Sequence, residues 1–410
     1  MSPSLPLHPT RQRAPIALGE FVALVAALQA VGALGVDAML PALPAIGAEL
    51  HARGANATQF VISVYLLGLG VGQLIHGPLS DHAGRRPVML AALCVYGLAG
   101  IAATGADSFA MLLAARFVGA VAVAATRVVT VATVRDCYSG RPMAKVMSLA
   151  SMVFMIAPVL APTLGQGLLF FGSWRLIFGG IAGLTMIVTV WYWRRLPETL
   201  AREGRLPFSA PRVASGVRQV LGNRWSLGYM LAATALQGAL FGYITCVQPM
   251  VTGALRAGPL LNVVFAVTAG AMAAANLLNS RFVLRIGSRV LSQAALVAMI
   301  LAAGAALAAG LSGRETLLGF VLFQAVAMAS FALANSNFSA LAMTDMGAIA
   351  GTASSVQGFV TITVGTMLGA AMGQSYAGTT TPLHLGFLLA GLFALGCVAV
   401  TERGLLFRAG

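Results

Sequence analysis

The sequence predicts an all-α integral membrane protein, with twelve transmembrane helices arranged as two pseudo-symmetric six-helix bundles. Three observations carry that expectation. Of 410 residues, 59% are hydrophobic and 9% charged, with a mean hydropathy of +0.88. A soluble domain carries roughly 25% charged residues, so this chain could not cover a water-facing surface. Apolar runs of the length that crosses a bilayer, about 20 residues, recur nearly end to end. These runs are long and do not alternate, whereas barrel strands are about ten residues and dyadic.

The elements follow in order. A short polar tail, MSPSLPLHPTRQRAP, carries Arg11 and Arg13, has no Sec-type signal pattern, and leads into a first span at 17–41. Further spans are expected at 57–78, 88–105, 109–133, 144–170 and 174–194. Then comes the longest polar break, RRLPETLAREGRLPFSAPRVASGVRQVLGNR, whose prolines, glycines and arginines read as a connector lying along an anionic leaflet. After it come spans at 225–250, 259–280, 289–311, 315–341, 350–373 and 382–403. The expected organisation is a bundle at 1–195, a linker at 196–224 and a second bundle at 225–410, the duplicated plan of secondary transporters. The segment GPLSDHAGRRPVML after span two has a degraded echo, NSRFVLRIGSRVLS, after span eight.

Charge orients the chain. With the N-terminus inside, nineteen basic residues fall in cytoplasmic segments, and only Arg53, Arg175, Arg256 and Arg314 fall on the other side. This positive-inside bias places both termini in the cytoplasm. It also accounts for the net charge of +14 without a nucleic-acid partner. Cys94, Cys137, Cys246 and Cys397 are scattered without metal or redox spacing, so they read as small apolar side chains, and no metal or cofactor is expected. No Gly-x-x-x-x-Gly-Lys-(Ser/Thr) segment occurs, which excludes ATP hydrolysis through that motif as the driving force. No enzymatic constellation is evident.

Function begins with a loop. GQLIHGPLSDHAGRRPVML contains Gly77, Asp81, Gly84, Arg85 and Arg86 in the spacing Gly-x-x-x-Asp-x-x-Gly-Arg-Arg. It resembles the loop signature of the major facilitator superfamily, with His82 where a base is usual. Gly84 permits a sharp turn, Pro87 suits a first helical turn, and Asp81 is placed to accept hydrogen bonds from a helix start or an arginine. The resemblance implies a gating loop that latches the two halves in an outward-open state. DAMLPALP, ATVRDCYSGRP, IAPVLAPTLGQGL, SWRLIF and AGTASSVQGF, in that order, are similar to blocks of the Bcr/CflA drug-resistance transporters. Within these, Pro158, Pro162, Gly165 and Gly167 resemble the superfamily's antiporter motif. Proline and glycine there kink a helix and pack it tightly. Gly68 and Gly72, and Gly365, Gly369 and Gly373, have spacings that serve either a moving interface or ordinary tight packing.

Asp37 is the acidic residue lying within the spans rather than at their mouths, where Glu20 sits. An ionised carboxylate in hydrocarbon is costly, so such a group is paired, hydrated, protonated or functional. Burial favours the neutral acid and a nearby cation the carboxylate, so proton and substrate can compete for one group. Arg116 is expected at similar depth about 10 Å into span four, and Arg127 roughly 16 Å further down. Three readings stay open: a proton site tuned by Arg116, a structural Asp37–Arg116 pair, or a cap on the helix broken at Pro41. By resemblance Arg116 is the family's span-four arginine, although RFVGA departs from Arg-x-x-Gln-Gly. Arg127 stands near the subfamily's lower arginine. Gln29 occupies the place of a second acid in some related exporters.

Tyr65, Gln237, Tyr243, Asn276, Asn335 and Asn337 are candidate substrate contacts or interhelical hydrogen bonds. Met39, Met152 and Met155 offer an adaptable apolar wall. His76 and His384 lie near span ends and read as structural. The resemblance implies a monomer of the bacterial inner membrane, surrounded by lipid, that exports small amphipathic drugs of the chloramphenicol or bicyclomycin kind against protons. The alternatives are a carrier of an amino acid or other small metabolite and, in a different class, a transport-dead sensor or a lipid-handling protein.

Overall fold

The computed structural model describes residues 16–54, 56–138, 141–202, 205, 210–346 and 349–408. Among these lie fifteen α-helices. The first eight are α1 (Leu18–Asp37), α2 (Leu43–Glu49), α3 (Phe60–Ala83), α4 (Arg85–Thr104), α5 (Phe109–Val123), α6 (Ala125–Cys137), α7 (Arg141–Phe171) and α8 (Arg175–Arg195). The rest are α9 (Ala210–Gly222), α10 (Arg224–Pro249), α11 (Leu261–Ile286), α12 (Ser288–Leu311), α13 (Leu317–Ala342), α14 (Ala350–Gln374) and α15 (Thr381–Thr401). Eleven stretches among the described residues are long and apolar enough to cross a membrane. The 31-residue α7 supplies the twelfth crossing.

Local chemistry starts several of these helices. Ser108 accepts the Met111 N–H at 3.2 Å, Asn223 the Ser226 N–H at 2.9 Å, and Thr316 the Gly319 N–H at 3.1 Å. Each satisfies a backbone donor that the first helical turn leaves free. Two spans run past their expected ends. The third helix continues through Pro78 to Ala83 rather than stopping at 78, and α11 reaches Ile286 rather than 280. Span four is two helices, α5 and α6, meeting at Ala124.

The packing repeats. In the first half α1 packs on α7 and α8, α3 on α5, and α4 on α5 and α8. In the second half α10 packs on α14 and α15, α11 on α13, and α12 on α13 and α15. The halves meet through α3 with α14 and through α7 with α11, which are equivalent pairs under the same two-fold relation. The turn glycines share it too: Gly84 opens α4 with φ +107° and Gly287 opens α12 with φ +89°. A side chain rarely adopts that backbone conformation. Exposed Phe170, Phe171, Leu311, Leu318 and Val400 give the outside an apolar coat suited to lipid.

In hydrocarbon, apolar area drives little association between helices, so close backbone approach and interhelical hydrogen bonds carry it. Gly68 and Gly72 face the α5 backbone at Phe117 and Val121, within one bundle. Likewise Gly365 and Gly369 face Gln237, Gly238 and Phe241 of α10. These four glycines therefore serve packing inside a bundle. The contact between bundles uses Gly70 against Thr363, Gly77 against Ser355, Gly358 against Gln73 and Gly373 against Gln59.

Call the end of the molecule holding the α3–α4 turn the arginine-rich end. At the opposite end the Asn56 amide donates to the carbonyls of Gln374 (3.1 Å) and Tyr376 (3.0 Å), and Gln374 donates back to the Asn56 carbonyl (3.1 Å). Asn262 and Gln166 form a second bond between the bundles there. At the arginine-rich end the expected linker contains α9. Its Val217 and Val220 pack with Met230, Met346, Ala353 and Val356, and its Gly216 lies against Thr352.

Candidate functional site

Asp37 is the last residue of α1 and is 5% exposed. Among the described residues no hydrogen bond or ion pair reaches its side chain, and its Oδ1 is buried without a partner. Tyr65 of α3 and Tyr243 of α10 lie within electrostatic range of the carboxyl, so the site draws on both bundles. The Tyr243 hydroxyl shares a 2.8 Å hydrogen bond with Thr268 of α11.

Arg116 is buried on α5, yet it does not pair with Asp37. Its Nη1 donates to the Gly35 carbonyl at 2.7 Å and its Nε to the Val61 carbonyl at 3.2 Å. Gly35 is in the last turn of α1, where carbonyls lack intrahelical partners and carry the negative end of the helix dipole. Arg116 therefore caps the helix that ends in Asp37. Its guanidinium lies 4.0 Å from the centre of the Tyr65 ring, a cation–π contact, and its Nη2 is buried without a partner. The Tyr65 hydroxyl meets the Gly32 carbonyl at 3.1 Å and the Tyr96 hydroxyl at 3.2 Å. A Cβ at Gly35 would collide with both phenols.

The proline–glycine block reaches the same place. A Cβ on Gly165 would strike the carbonyl oxygen of Ala38, the residue after Asp37, so glycine here lets α7 close on the end of α1. Pro162 is buried, and Gly167 has open space around it. Met152, Met155 and Pro158 have side chains that lie outside the described residues.

The other candidates are distributed. Met39 is fully buried in the apolar cluster that also holds Tyr243, and Gln29 is half-buried about 12 Å along α1 from Asp37. Gln237 is half-buried with its stem against Gly365. Asn335 and Asn337 sit roughly 27 and 30 Å along α13 from the opposite end, remote in depth from Asp37. Asn337 donates to Asn279 of α11 at 2.8 Å and to the Leu333 carbonyl at 2.8 Å, an interhelical tie. Asn335 is half-buried with its Oδ1 unpartnered, and Asn276 is half-buried on α11.

Arg127 belongs to a different place. It is exposed to a cleft of about 180 Å³ between α3, α6 and the start of α14, with Gln73, Asp81, Arg135 and Ser355. The loop motif borders that cleft. Arg85 is buried and bonds Asp81 at 2.5 Å, Asp136 at 3.0 Å and Ser80 at 2.8 Å. The Glu198 carboxylate accepts the Arg85 and Arg86 N–H groups at 2.9 and 3.2 Å, capping α4 beside Gly84. Arg86 donates to the Trp193 carbonyl at 2.7 Å. These bonds stay within the first bundle and its tail.

Several contributors escaped the sequence reading. Tyr96 positions Tyr65, and Asp136 and Glu198 complete the loop network. Asp37 is also not the sole buried acid. Glu402 at the end of α15 is 7% exposed, bonded by Tyr229 and paired with Arg289 at 3.3 Å. Glu315, just before α13, is bonded by Thr380 and lies 2.7 Å from His384. Both acids border predicted spans, so a count confined to span interiors passed over them.

With the geometry in place, comparison with known proteins decides the family. Residues 25–370 match the family described as Major Facilitator Superfamily. The chain belongs to that superfamily. It is a multi-pass membrane transporter and not an enzyme. A bicyclomycin resistance protein homolog of Haemophilus influenzae is 29% identical over 393 residues, 93% of this chain and 94% of that protein. An uncharacterized MFS-type transporter, YdgK, of Bacillus subtilis is 32% identical over 54% of this chain and 56% of its own length. A chloramphenicol resistance protein of Pseudomonas aeruginosa is 37% identical over 44% of this chain and 43% of that protein. Among solved structures, the xylose transporter XylE from E. coli superposes with a TM-score of 0.69 at 11% identity, covering 95% of this chain and 98% of that one. The human organic anion transporter MFSD10 gives 0.65 at 18% identity, covering 92% of this chain and 100% of that one. These likenesses confirm the fold, and the relatives agree with the drug-resistance resemblance of the sequence blocks.

Proposed function

We propose that the protein is a proton-coupled exporter of small amphipathic compounds, chloramphenicol- or bicyclomycin-like, working by alternating access between bundles 1–195 and 225–410. One observation carries the reading: Asp37, a buried carboxyl without a side-chain hydrogen bond or ion pair among the described residues, lies within electrostatic range of a phenol from each bundle. An unpaired carboxylate in such a place costs several kcal/mol, a cost that proton uptake removes. Arg116 acts as a positioning group that holds the end of α1, and Tyr65, Tyr243 and Met39 give the cargo an aromatic and apolar wall. Gly165 keeps α7 tight against the proton site and limits leak. Arginine bias supports a bacterial inner-membrane orientation with both termini cytoplasmic, in which Asp37 faces the periplasmic side and the Arg127 cleft the cytoplasm. A monomer suffices for this scheme. The names of the relatives favour drugs over an amino acid or other metabolite as cargo.

The test uses sealed liposomes holding wild type or Asp37→Asn, with chloramphenicol and an imposed pH gradient. Uphill accumulation by wild type, and mere equilibration by the variant, is the expected result. Equal uphill transport by both would move the proton site elsewhere. Failure of both, with carriage of an amino acid, would replace the drug reading by the metabolite one.

A further inference from the structure

At the arginine-rich end the two bundles balance their charge differently. In the first bundle and its tail, Arg85 holds Asp81 and Asp136, Arg195 holds Glu20, and Arg205 holds Glu198. In the second bundle Arg289 of α12 holds Glu402, and its guanidinium lies 4.6 Å from the centre of the Trp225 ring. Around that anchor stand Arg285 in the last turn of α11 and Arg403 and Arg408 in the tail after α15. All three are exposed, and among the described residues none of them has an ion pair. Beyond Glu402, the acid of the second bundle at this end is Asp345, exposed between α13 and α14 and paired with none of them. The tail is folded back on the bundle. The Phe407 N–H donates to the side chain of Gln293 on α12, which is 1% exposed. Arg403 and Phe407 take left-handed backbone conformations, φ 53° and 59°, which residues with side chains adopt rarely. Gln293 lies one turn beyond Arg289, so the helix face that carries the anchor also receives the tail. Arg285 lies four residues before Arg289, across the Gly287 turn. Three segments thus bring uncompensated guanidiniums to one corner of the bundle.

These cations begin where apolar helices end. The membrane-length stretches run to Val283 and Thr401 and start again at Ser288. Phe282, Ile286, Leu405 and Phe407 are exposed and interleave with the arginines. Arginines directly beyond a membrane helix attract anionic headgroups, and a guanidinium matches a phosphate with paired hydrogen bonds. A soluble acidic partner would leave the four apolar side chains uncovered, whereas a lipid supplies charge and hydrocarbon together. We propose that this rim of the second bundle binds anionic phospholipid, its diester phosphate against Arg285, Arg403 and Arg408 and its upper acyl chains over Phe282, Ile286, Leu405 and Phe407. A zwitterionic headgroup brings its own cation beside the phosphate and gains less there. At the corresponding α3–α4 turn of the first bundle, Asp81, Asp136 and Glu198 already supply the negative charge. The surface therefore belongs to one bundle and not to its repeat.

The test uses the full chain in phosphatidylcholine nanodiscs at low salt. They are doped with a diazirine-bearing phosphatidylglycerol or, separately, with a diazirine-bearing phosphatidylcholine of the same chains. Peptides covering 281–289 and 402–408 should take more label from the phosphatidylglycerol probe, and peptides of the α3–α4 turn should take both alike. Replacing Arg285→Gln, Arg403→Gln and Arg408→Gln together should erode that preference by about five-fold for each charge removed. Equal labelling of the rim by the two probes, an equal excess at both turns, or an undiminished preference in the triple variant overturns the proposal. Displacement of the probe by soluble glycerophosphoglycerol also overturns it, because the surface then takes a free phosphodiester rather than a lipid. Should the variant not fold, the two probes on the wild type decide.

Discussion

Asp37 and Glu402 are the same kind of residue in the same kind of place, an acid closing a membrane helix, and the protein treats them in opposite ways. Both are almost fully buried. Both stand at the negative end of a helix dipole, where an acid gains nothing from the backbone. Glu402 is saturated, taking the Tyr229 hydroxyl and the Arg289 guanidinium, with Trp225 4.6 Å beyond that cation. Among the described residues the Asp37 side chain receives nothing: Arg116 turns its Nη1 and Nε to the carbonyls of Gly35 and Val61, and its Nη2 has no partner. A buried polar group that is fully bonded is part of the structure. One left short can be satisfied by taking up a proton.

The largest effect that could break this contrast is Asp37→Asn. It should abolish uphill transport in a pH-gradient assay while leaving thermal stability equal or higher, since it removes an unpaired buried charge. A strong loss of stability would mean that Asp37 has a partner and resembles Glu402 after all. Glu402→Leu should do the reverse, lowering unfolding stability by about 3 kcal/mol because Arg289 and Tyr229 lose their acceptor. Drug transport per folded molecule should survive it.

Gly165→Ala comes next. Its methyl meets the Ala38 carbonyl, so α7 must back away, at about 1–3 kcal/mol. Slower coupled transport or proton leak in the liposome assay would tie the glycine to the site rather than to stability alone. Asn56→Ala removes two side-chain bonds between the bundles, leaving the Gln374 amide on the residue-56 backbone carbonyl, and should cost about 1 kcal/mol. It should also raise thiol labelling of a cysteine placed at Gln59, beneath that contact. The smallest effect belongs to Asn337→Ala, about 0.6 kcal/mol for one interhelical bond, with unchanged chloramphenicol transport. A large transport defect there would restore the residue to the cargo site.

Much of this was legible in the sequence. Span number, the six-plus-six division and the glycine echo at Gly84 and Gly287 follow from hydropathy and turn chemistry, which are local. The join at Ala124 was not, because apolar residues continue across it. Arg116 was legible as important and illegible as a cap: depth arithmetic put it level with Asp37, but only the fold decides whether a guanidinium meets a carboxylate or a carbonyl. The glycine stripes left a moving interface and ordinary tight packing both open, since their partners, α5 and α10, depend on which face each helix turns inward. Glu198 escaped because its role needs a helix start more than a hundred residues away in sequence.

The placement of α9 sets where this gene could be divided. Val217 and Val220 pack on the second bundle, and Glu198 holds the start of α4 in the first, so the segment between Leu200 and Ala210 is what joins two finished bodies. A chain cut there and expressed as two polypeptides keeps the packed surfaces of each piece. A cut after Gly222 strips the second piece of a helix it needs, and the fragments so made should reassemble less well.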